Sequence, residues 1–408
     1  MSTPQATPSR SHAIAVLRGD GVGPEVTQAA LTVLDAAERR FSFATERTEV
    51  PLGADHYLST GELLTEERTA ELRGFDAILF GAIGSPKVTP GILERGVILA
   101  LRREMRQAIN LRPVRLYSGV PTPIAGLTPQ RCDLVIVREN TEGAYVAQGS
   151  TVHAGTPAQV AVQESVNTWY AVERAVDFAY RLASVRRKKL TLCHKTNVLV
   201  EAGKLWTAVM EEVGQRYPDV ETDYVHVDAM CMHLPVSPER FDVVVTDNLF
   251  GDIVTDLGAV LQGGLGVAAS GNLNLDGSAP SMFEPIHGSA PDIAGRGWAN
   301  PAGACLSLAM MLGHLGEGEA AAAVEAATTA VLAGLPALAG EGMGASTQEL
   351  GERIAGLVAD GTATAVDNSL MSQLAKVVGP AATAEEHRLS SRPDDRDAVP
   401  AQPARAQS

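Results

Sequence analysis

Residues 13–40 read AIAVLRGDGVGPEVTQAALTVLDAAERR, and this stretch sets the fold class. Its first five residues are a short apolar, β-rich run of the kind a buried strand shows. Pro24 falls where a helix would begin, since the N–H it lacks is an orphan at that position in any case. After it, apolar residues recur at helical spacing. Between the two lies Gly19-Asp20-Gly21-Val22-Gly23. The spacing is G-x-G-x-G, because position 24 is proline, so the usual dinucleotide-binding fingerprint is absent. A tight strand-to-helix turn and a ligand-facing loop both account for these glycines.

Working outward, further β-rich runs stand at 76–80 (DAILF), 134–137 (LVIV), 189–193 (KLTLC) and 242–246 (DVVVT). Helical patterns separate most of them. The alternation predicts an α/β protein with a large, mostly parallel or mixed sheet. The Ala-rich stretch 319–338 reads as a packed helix, because Glu, Val and Leu recur through it. The chain has 408 residues, which at about 150 per domain suggests two or three lobes. Residues 1–11 and 384–408 are polar and proline-bearing, and disorder is expected in both.

Composition narrows the function classes. With 45% apolar residues the chain can bury a full core. The 33 basic and 48 acidic residues leave a net charge of −15, which argues against nucleic acid or an anionic membrane as the main partner. No apolar run approaches the roughly 18 residues of a membrane span, and the N-terminus has no apolar signal core. Cys132, Cys193, Cys231 and Cys305 are scattered without CxxC spacing. They read as small buried hydrophobes in a reducing, cytoplasmic protein.

Counting the glycine turn of residues 19–23, four clusters carry candidate chemistry. Arg102, Arg112 and Arg138 stand near predicted strand or loop ends, and their planar forks suit a substrate with two or more carboxylates. In DNLFGDIVTD (247–256), Asp252 and Asp256 are four apart and share one helix face. Like charges there repel unless a cation neutralises them, and oxygen donors favour Mg²⁺ or Mn²⁺. Asp228 in HVDAMCMH can complete such a site; His226 and His233 flank an apolar run and read as structural. The fourth cluster runs from Glu284 through His287, Gly288, Ser289, Ala290, Pro291 and Asp292 to Asn300. A loop dense in Gly, Ser and Pro can hold phosphate or ribose with free N–H groups. Asp292 can accept from a ribose 2′-hydroxyl and would repel a 2′-phosphate, which favours NAD over NADP. Lys195 in HKTNV and Tyr145 in TEGAY gain weight only from this company.

Taken in order, GDGVGPE, NLRP, VRENTEGAY, HKTNVL, VDAMCMH, DNLFGDIVTDL and EPIHGSAPDIAG with ANP resemble the β-decarboxylating dehydrogenases, which include 3-isopropylmalate, isocitrate, homoisocitrate and tartrate dehydrogenases. The resemblance spans residues 13–370, and the 3-isopropylmalate branch is the nearest. It implies two α/β lobes sharing a mixed sheet with a cleft between them. It further implies a cofactor lobe of 12–110 with 268–375, and a central lobe of 111–267 carrying substrate, metal and dimer contacts. The activity implied is NAD-dependent oxidative decarboxylation of 3-isopropylmalate to 4-methyl-2-oxopentanoate, a step of leucine biosynthesis. Arg102, Arg112 and Arg138 would clamp the malate carboxylates. Asp228, Asp252 and Asp256 would hold Mg²⁺ or Mn²⁺, with Asp228 also at the substrate. Lys195 would be the base and Tyr145 the proton donor, while residues 284–300 hold the adenosine half of NAD. A homodimer is implied in which one subunit lends Lys195 and Asp228 to the other's site.

Substrate choice falls to residues 94–102. The isocitrate branch typically carries Ser and Asn here, whereas this chain offers Val97, Ile98 and Leu99. Burying a carboxylate against them is unfavourable, while an alkyl group gains about 25 cal/mol per Å². An alkyl-malate is therefore expected. Another 3-substituted malate, isocitrate or tartrate remains an alternative, as does a catalytically silent regulatory subunit. The intact set Tyr145, Lys195, Asp228, Asp252 and Asp256 counts against the last.

Overall fold

A computed structural model describes residues 10–366 and 369–378. Twelve strands are found among them: β1 (Ser11–Gly19), β2 (Ala44–Glu49), β3 (Ala77–Ala82), β4 (Gln107–Arg115), β5 (Asp133–Glu139), β6 (Gly149–Val152), β7 (Val160–Gln163), β8 (Lys189–His194), β9 (Glu221–His226), β10 (Val243–Thr246), β11 (Ala269–Asn274) and β12 (Ser281–Pro285). Ten form one mixed sheet in the order β2-β1-β3-β12-β11-β4-β5-β10-β8-β9, and β6 pairs with β7 as a separate hairpin. All five β-rich runs of the sequence lie in this sheet.

The sheet changes direction at its centre. β2, β1, β3 and β12 run parallel, and so do β5, β10, β8 and β9. The pairs β12–β11, β11–β4 and β4–β5 are antiparallel, so the two parallel blocks point in opposite directions. One register row crosses the reversal: Asn272 stands opposite Asn110, and Asn110 opposite Arg138, which pairs onward to Thr246 and Cys193. Polar residues in mid-sheet sit where the blocks meet; β1, β3, β8 and β10 within the blocks bury apolar runs as parallel strands do, while the edge strands β2 and β9 are polar and partly exposed.

Helices cover both faces. The Gly23–Phe41 helix starts with Pro24 in its first turn. It packs against the Ala302–His314 and Thr347–Asp360 helices, so the first and last parts of the chain share a layer. The Ala-rich stretch is helical over Gly318–Ala333. On the other block, the Trp169–Ser184 and Val200–Gly214 helices pack together. The Val227–Val236 helix lies against the Asn248–Leu261 helix.

Ser11, placed by composition in the N-terminal segment expected to be disordered, is instead in a strand. β1 starts at Ser11, because the ladder to β2 begins there with Ser11 opposite Ala44. Residues 1–9 and 384–408 lie outside the described residues. The expected lobe boundary at 110 falls inside β4, and the one at 375 inside the Leu370–Val378 helix.

The glycine turn of residues 19–23 is a backbone contact. Val22 N–H donates to the Ser289 carbonyl at 2.8 Å. Gly21 has φ +59°, and a Cβ there would lie 1.9 Å from that same oxygen. The Asp20 carboxylate accepts from Ala54 and Gly84 N–H at 2.7 and 2.9 Å, fastening two more loops to the turn. Gly21→Ala is expected to destabilise the fold by about 2 kcal/mol or more through left-handed strain and backbone overlap. Gly288→Ala, with open space around its Cβ, should melt like the parent. Equal thermal midpoints for Gly21→Ala and the parent would refute the tight contact.

Candidate active site

The three arginines come together in one buried cluster. Arg102 comes from the Leu99–Glu104 helix, Arg112 from β4 and Arg138 from the last turns of β5, and all are buried. Arg102 Nη2 lies 3.5 Å from Glu284, and Arg112 Nη1 lies 4.0 Å from Asp256. Arg138 Nη1 donates to Asp252, while its Nε and Nη2 donate to Asn248 Oδ1 at 3.0 and 2.8 Å. Burial, then repulsion from Arg138, lowers the pKa of Arg102; the same causes bring Arg112 down to about 10. Arg102 Nε is a buried donor with no partner. Such a site is electrostatically prepared for an anion.

The Asn248–Leu261 helix delivers the acidic residues, with Asp247 as its N-cap accepting from Phe250 N–H at 2.8 Å. Asp252 and Asp256 lie one turn apart on it, as their spacing predicts. Burial alone would raise the Asp252 pKa, but Arg138, Tyr145 and Arg112 outweigh it and hold it low. Asp256 is raised, chiefly by burial, with Asp252 adding to it. Tyr145, in the short turn Ala144–Val146, donates to Asp252 Oδ2 at 2.9 Å, and the Arg138 guanidinium lies 5.3 Å from its ring centre. Burial raises the Tyr145 pKa, so the phenol keeps its proton.

Beneath the arginines runs a buried amide network that the sequence reading missed. Arg112 Nε donates to Asn110 Oδ1, and Asn110 Nδ2 to Ser270 Oγ and Asn272 Oδ1 at 2.8 and 2.9 Å. Asn140 Nδ2 also reaches Asn272 Oδ1, at 3.0 Å. Asn272 Nδ2 donates to Glu284 Oε1 at 2.8 Å, which returns the chain to Arg102. The one sequence signal was Asn110, two residues before Arg112 and therefore on the same strand face. Asn272 gives no signal without the strand pairing.

Lys195 and Asp228 form a second group. Lys195 follows β8, and its Nζ donates to Asp228 Oδ1 at 2.8 Å. That hydrogen bond lowers the Asp228 pKa. The Asp228 side chain is 67% exposed in the first turn of the Val227–Val236 helix. Among the described residues no three His, Cys, Asp or Glu side chains converge on a metal position. Within one chain, then, Asp228 does not join Asp252 and Asp256. His226 bonds the Tyr224 hydroxyl and His233 bonds Arg240, in keeping with structural roles.

The 284–300 loop leans on the glycine turn through Ser289. Ala290 has φ +39°, unusual for a residue with a Cβ. His287 Nδ1 contacts the Gly288 carbonyl at 3.0 Å, while its buried Nε2 has no partner, and burial lowers its pKa. Gly288, Pro291 and Asp292 are exposed. Glu284 faces Arg102 and Asn272, inside the cleft. Asn300 is buried, donating to Leu338 O and accepting from Ala302 N–H, so its amide is already engaged. Trp298 carries the Arg296 guanidinium over its ring at 4.9 Å.

The apolar segment divides. Residues 94–98 form one π-helical turn before the Leu99–Glu104 helix. Val97 is fully buried in an apolar cluster with Leu93, Leu101 and Met105, so it is core and not pocket wall. Ile98 and Leu99 are half-buried, four and three residues from Arg102, and so lie on its helix face.

A model of the isocitrate/isopropylmalate dehydrogenase family matches residues 13–354. The 3-isopropylmalate dehydrogenase of Thermobifida fusca is 52% identical over 353 residues, 86% of this chain and 99% of its own. That of Mycobacterium tuberculosis is 52% identical over 344 residues, 84% of this chain and 98% of its own. The crystal structure of isocitrate dehydrogenase from Methylococcus capsulatus superposes with TM-score 0.76 at 33% identity, covering 85% of this chain and 99% of that one. The comparisons make this chain a dehydrogenase. The chain belongs to the isocitrate/isopropylmalate dehydrogenase family.

One buried acid gives a pH signature. Burial lifts Asp247 to about 6, and His194, whose Nε2 is 3.8 Å away, is lowered to about 4 by its own burial. The folded chain thus holds a proton on Asp247 that the unfolded chain has released, and the ionisation penalty is fully present above pH 6. Asn is an equally good N-cap without that penalty. Asp247→Asn should therefore gain on the parent in unfolding free energy as pH rises from 5 to 8, by at most about 1.5 kcal/mol, read as a widening gap between their thermal midpoints. A parent–variant gap that stays flat with pH would contradict the buried, raised carboxyl.

Proposed function

We propose that the protein oxidises and decarboxylates 3-isopropylmalate with NAD, assisted by Mg²⁺ or Mn²⁺. The observation that carries this is a trio of buried arginines around Asp252 and Tyr145, bordered by half-buried Ile98 and Leu99. The arginines suit two carboxylates, and the Ile98–Leu99 edge suits an alkyl group over a third carboxylate. One methylene changes such selectivity by about 1–3 kcal/mol, so the isopropyl group is preferred but neighbouring alkyl-malates still bind.

The donor set fits the implied groups. Asp252 and Asp256, with Asp228 of the partner subunit, are hard oxygen donors suited to a magnesium-like cation. The unpartnered Nε2 of His287, the open space at Gly288 and the exposed Asp292 suit the adenosine half of NAD. A bound cation supplies Lewis-acid stabilisation of negative charge on the substrate oxygen. NAD supplies the hydride acceptor. The chain's residues do the rest. Arg102, Arg112 and Arg138 hold and orient the carboxylates. Lys195 of the partner subunit takes the 2-hydroxyl proton. Tyr145, protonated by virtue of its burial, gives a proton to the carbon that has lost CO₂.

Exposed apolar stripes support the dimer. Met232 and Val236, 70% and 71% exposed, follow Asp228 at four-residue steps. Leu249, Ile253 and Val260 are exposed on the same face as Asp256 in the adjoining helix. Pairing these helices about a two-fold axis would bury both stripes and carry Asp228 toward the opposite Asp252–Asp256 pair. The wholly exposed β6–β7 hairpin, with Val152, Val160 and Val162, offers further contact. We assign residues 12–110 with 268–375 to the cofactor lobe and 111–267 to the central one. Four free cysteines, three of them buried, and the absence among the described residues of a helix able to cross a membrane accord with a cytoplasmic enzyme.

NADH formation compared across 3-isopropylmalate, isocitrate, tartrate and malate with Mn²⁺ should be fastest for 3-isopropylmalate, and Lys195→Met should abolish it while retaining NAD binding. Faster turnover of isocitrate would overturn the substrate assignment. Shared sites predict complementation. Lys195→Met and Asp252→Asn homodimers are each expected to be inactive. Unfolded and refolded together, they should recover roughly a quarter of parent activity, because half the dimers are mixed and each has one intact site. No recovery from well-folded mixed dimers would place each whole site in a single chain.

A further inference from the structure

Arg138 is the most closely held of the three arginines, and Asn248 does much of the holding. Asn248 is fully buried at the start of the Asn248–Leu261 helix. Its Oδ1 accepts from both Nε and Nη2 of Arg138, and its Nδ2 donates to the Glu142 carbonyl at 3.2 Å. Glu142 lies three residues before Tyr145. The opposite amide orientation would set N–H against N–H and oxygen against oxygen, so the partners fix the assignment. The Arg138 stem lies against Gly251, where a Cβ would come within 2.4 Å of Arg138 Cγ. Nη1 is on Asp252, Nη2 and Nε are on Asn248, and Tyr145 lies under the guanidinium, so one N–H on each of Nη1 and Nη2 of this buried side chain is left for a ligand to engage.

We infer that Asn248 is a positioning residue for substrate. Its neutral amide aims Arg138 at the cleft without cancelling its charge, and it ties the Tyr145 turn to the helix that carries Asp252. A carboxylate at this position would instead form a charge-assisted pair with Nε and Nη2. Arg138 would then lie between two anions, with little positive charge left for a substrate carboxylate. Such a carboxylate would also lose the donor to Glu142 and set negative charge against that carbonyl. The inference rests on the proposed role of Arg138 in binding the malate.

The test uses the full-length enzyme with Mn²⁺, NAD and 3-isopropylmalate. Parent activity is measured first; no NADH formation there defeats the proposed function itself. With the parent active, the isosteric Asn248→Asp should raise KM for 3-isopropylmalate about tenfold or more, leaving KM for NAD within about twofold and the thermal midpoint close to the parent's. Asn248→Ala, which keeps the Arg138 charge but frees its orientation and the Tyr145 turn, should lose mainly kcat. An unchanged KM for 3-isopropylmalate in Asn248→Asp overturns the inference while the proposed function stands. Parallel losses toward substrate and NAD, or failure of both variants to fold, assign Asn248 to structure alone and overturn it equally.

Discussion

Three guanidinium groups buried within one another's field are the constraint on which the rest of this structure depends. Charges of one sign in a low-dielectric cleft repel strongly unless anions and hydrogen-bond acceptors surround them. The protein supplies acceptors from every side. Glu284 stands by Arg102, Asn110 takes Nε of Arg112, and Asn248 with Asp252 takes three bonds from Arg138. Burial first, and then repulsion from the neighbouring arginines, still holds the pKa values of Arg102 and Arg112 below the usual guanidinium value.

The mixed sheet makes that gathering possible. Reversing direction at β12–β11–β4–β5 lets the ends of strands from opposite blocks meet in mid-sheet. Arg138 from one block and Glu284 from the other then face a shared floor of Asn110 and Asn272. A wholly parallel sheet would put such ends along one edge. The same topology leaves Lys195 and Asp228 with the β8–β9 edge, apart from the arginines. Two half-sites on one chain, each beside an exposed apolar stripe, are the arrangement expected if a second copy completes the chemistry.

Much of the fold was legible because its signals are local. The AIAVL run, Pro24 and the helical spacing after it gave a strand–turn–helix unit, and residues 76–80, 134–137, 189–193 and 242–246 all became strands. The Asp252–Asp256 pair was legible for the same reason. β11 was not: ASGNLN has no β-rich pattern, and its Ser and Asn side chains are buried only because β4 and β12 flank it. The Asn110–Asn272 bond joins residues 162 apart in sequence, so nothing local announces it. The spacing of the 19–23 glycines left turn and ligand loop equally open. Contact with Ser289 explains Gly21 by backbone approach, which involves a loop far away in the chain.

The apolar segment shows how local geometry refines a compositional reading. Val97, Ile98 and Leu99 are adjacent and similar, so composition assigns all three to the pocket. A π-turn holds one more residue per hydrogen-bonded loop than an α-turn, which shifts the phase of the side chains around the axis. Here the turn ends at Ile98, and the phase it sets turns Val97 fully into the core with Leu93 and Leu101, while Ile98 only borders that core and Leu99 stands half-buried three residues before Arg102. In the proposed site, selectivity would come from Ile98 at the end of the π-turn and Leu99 on the helix that carries Arg102. A carboxylate at Arg102 and an alkyl group at Leu99, as proposed, would then be held at a fixed separation, about one helical turn apart. A ligand must present its carboxylate and its alkyl group at that separation, so the segment measures the distance between them as well as their polarity.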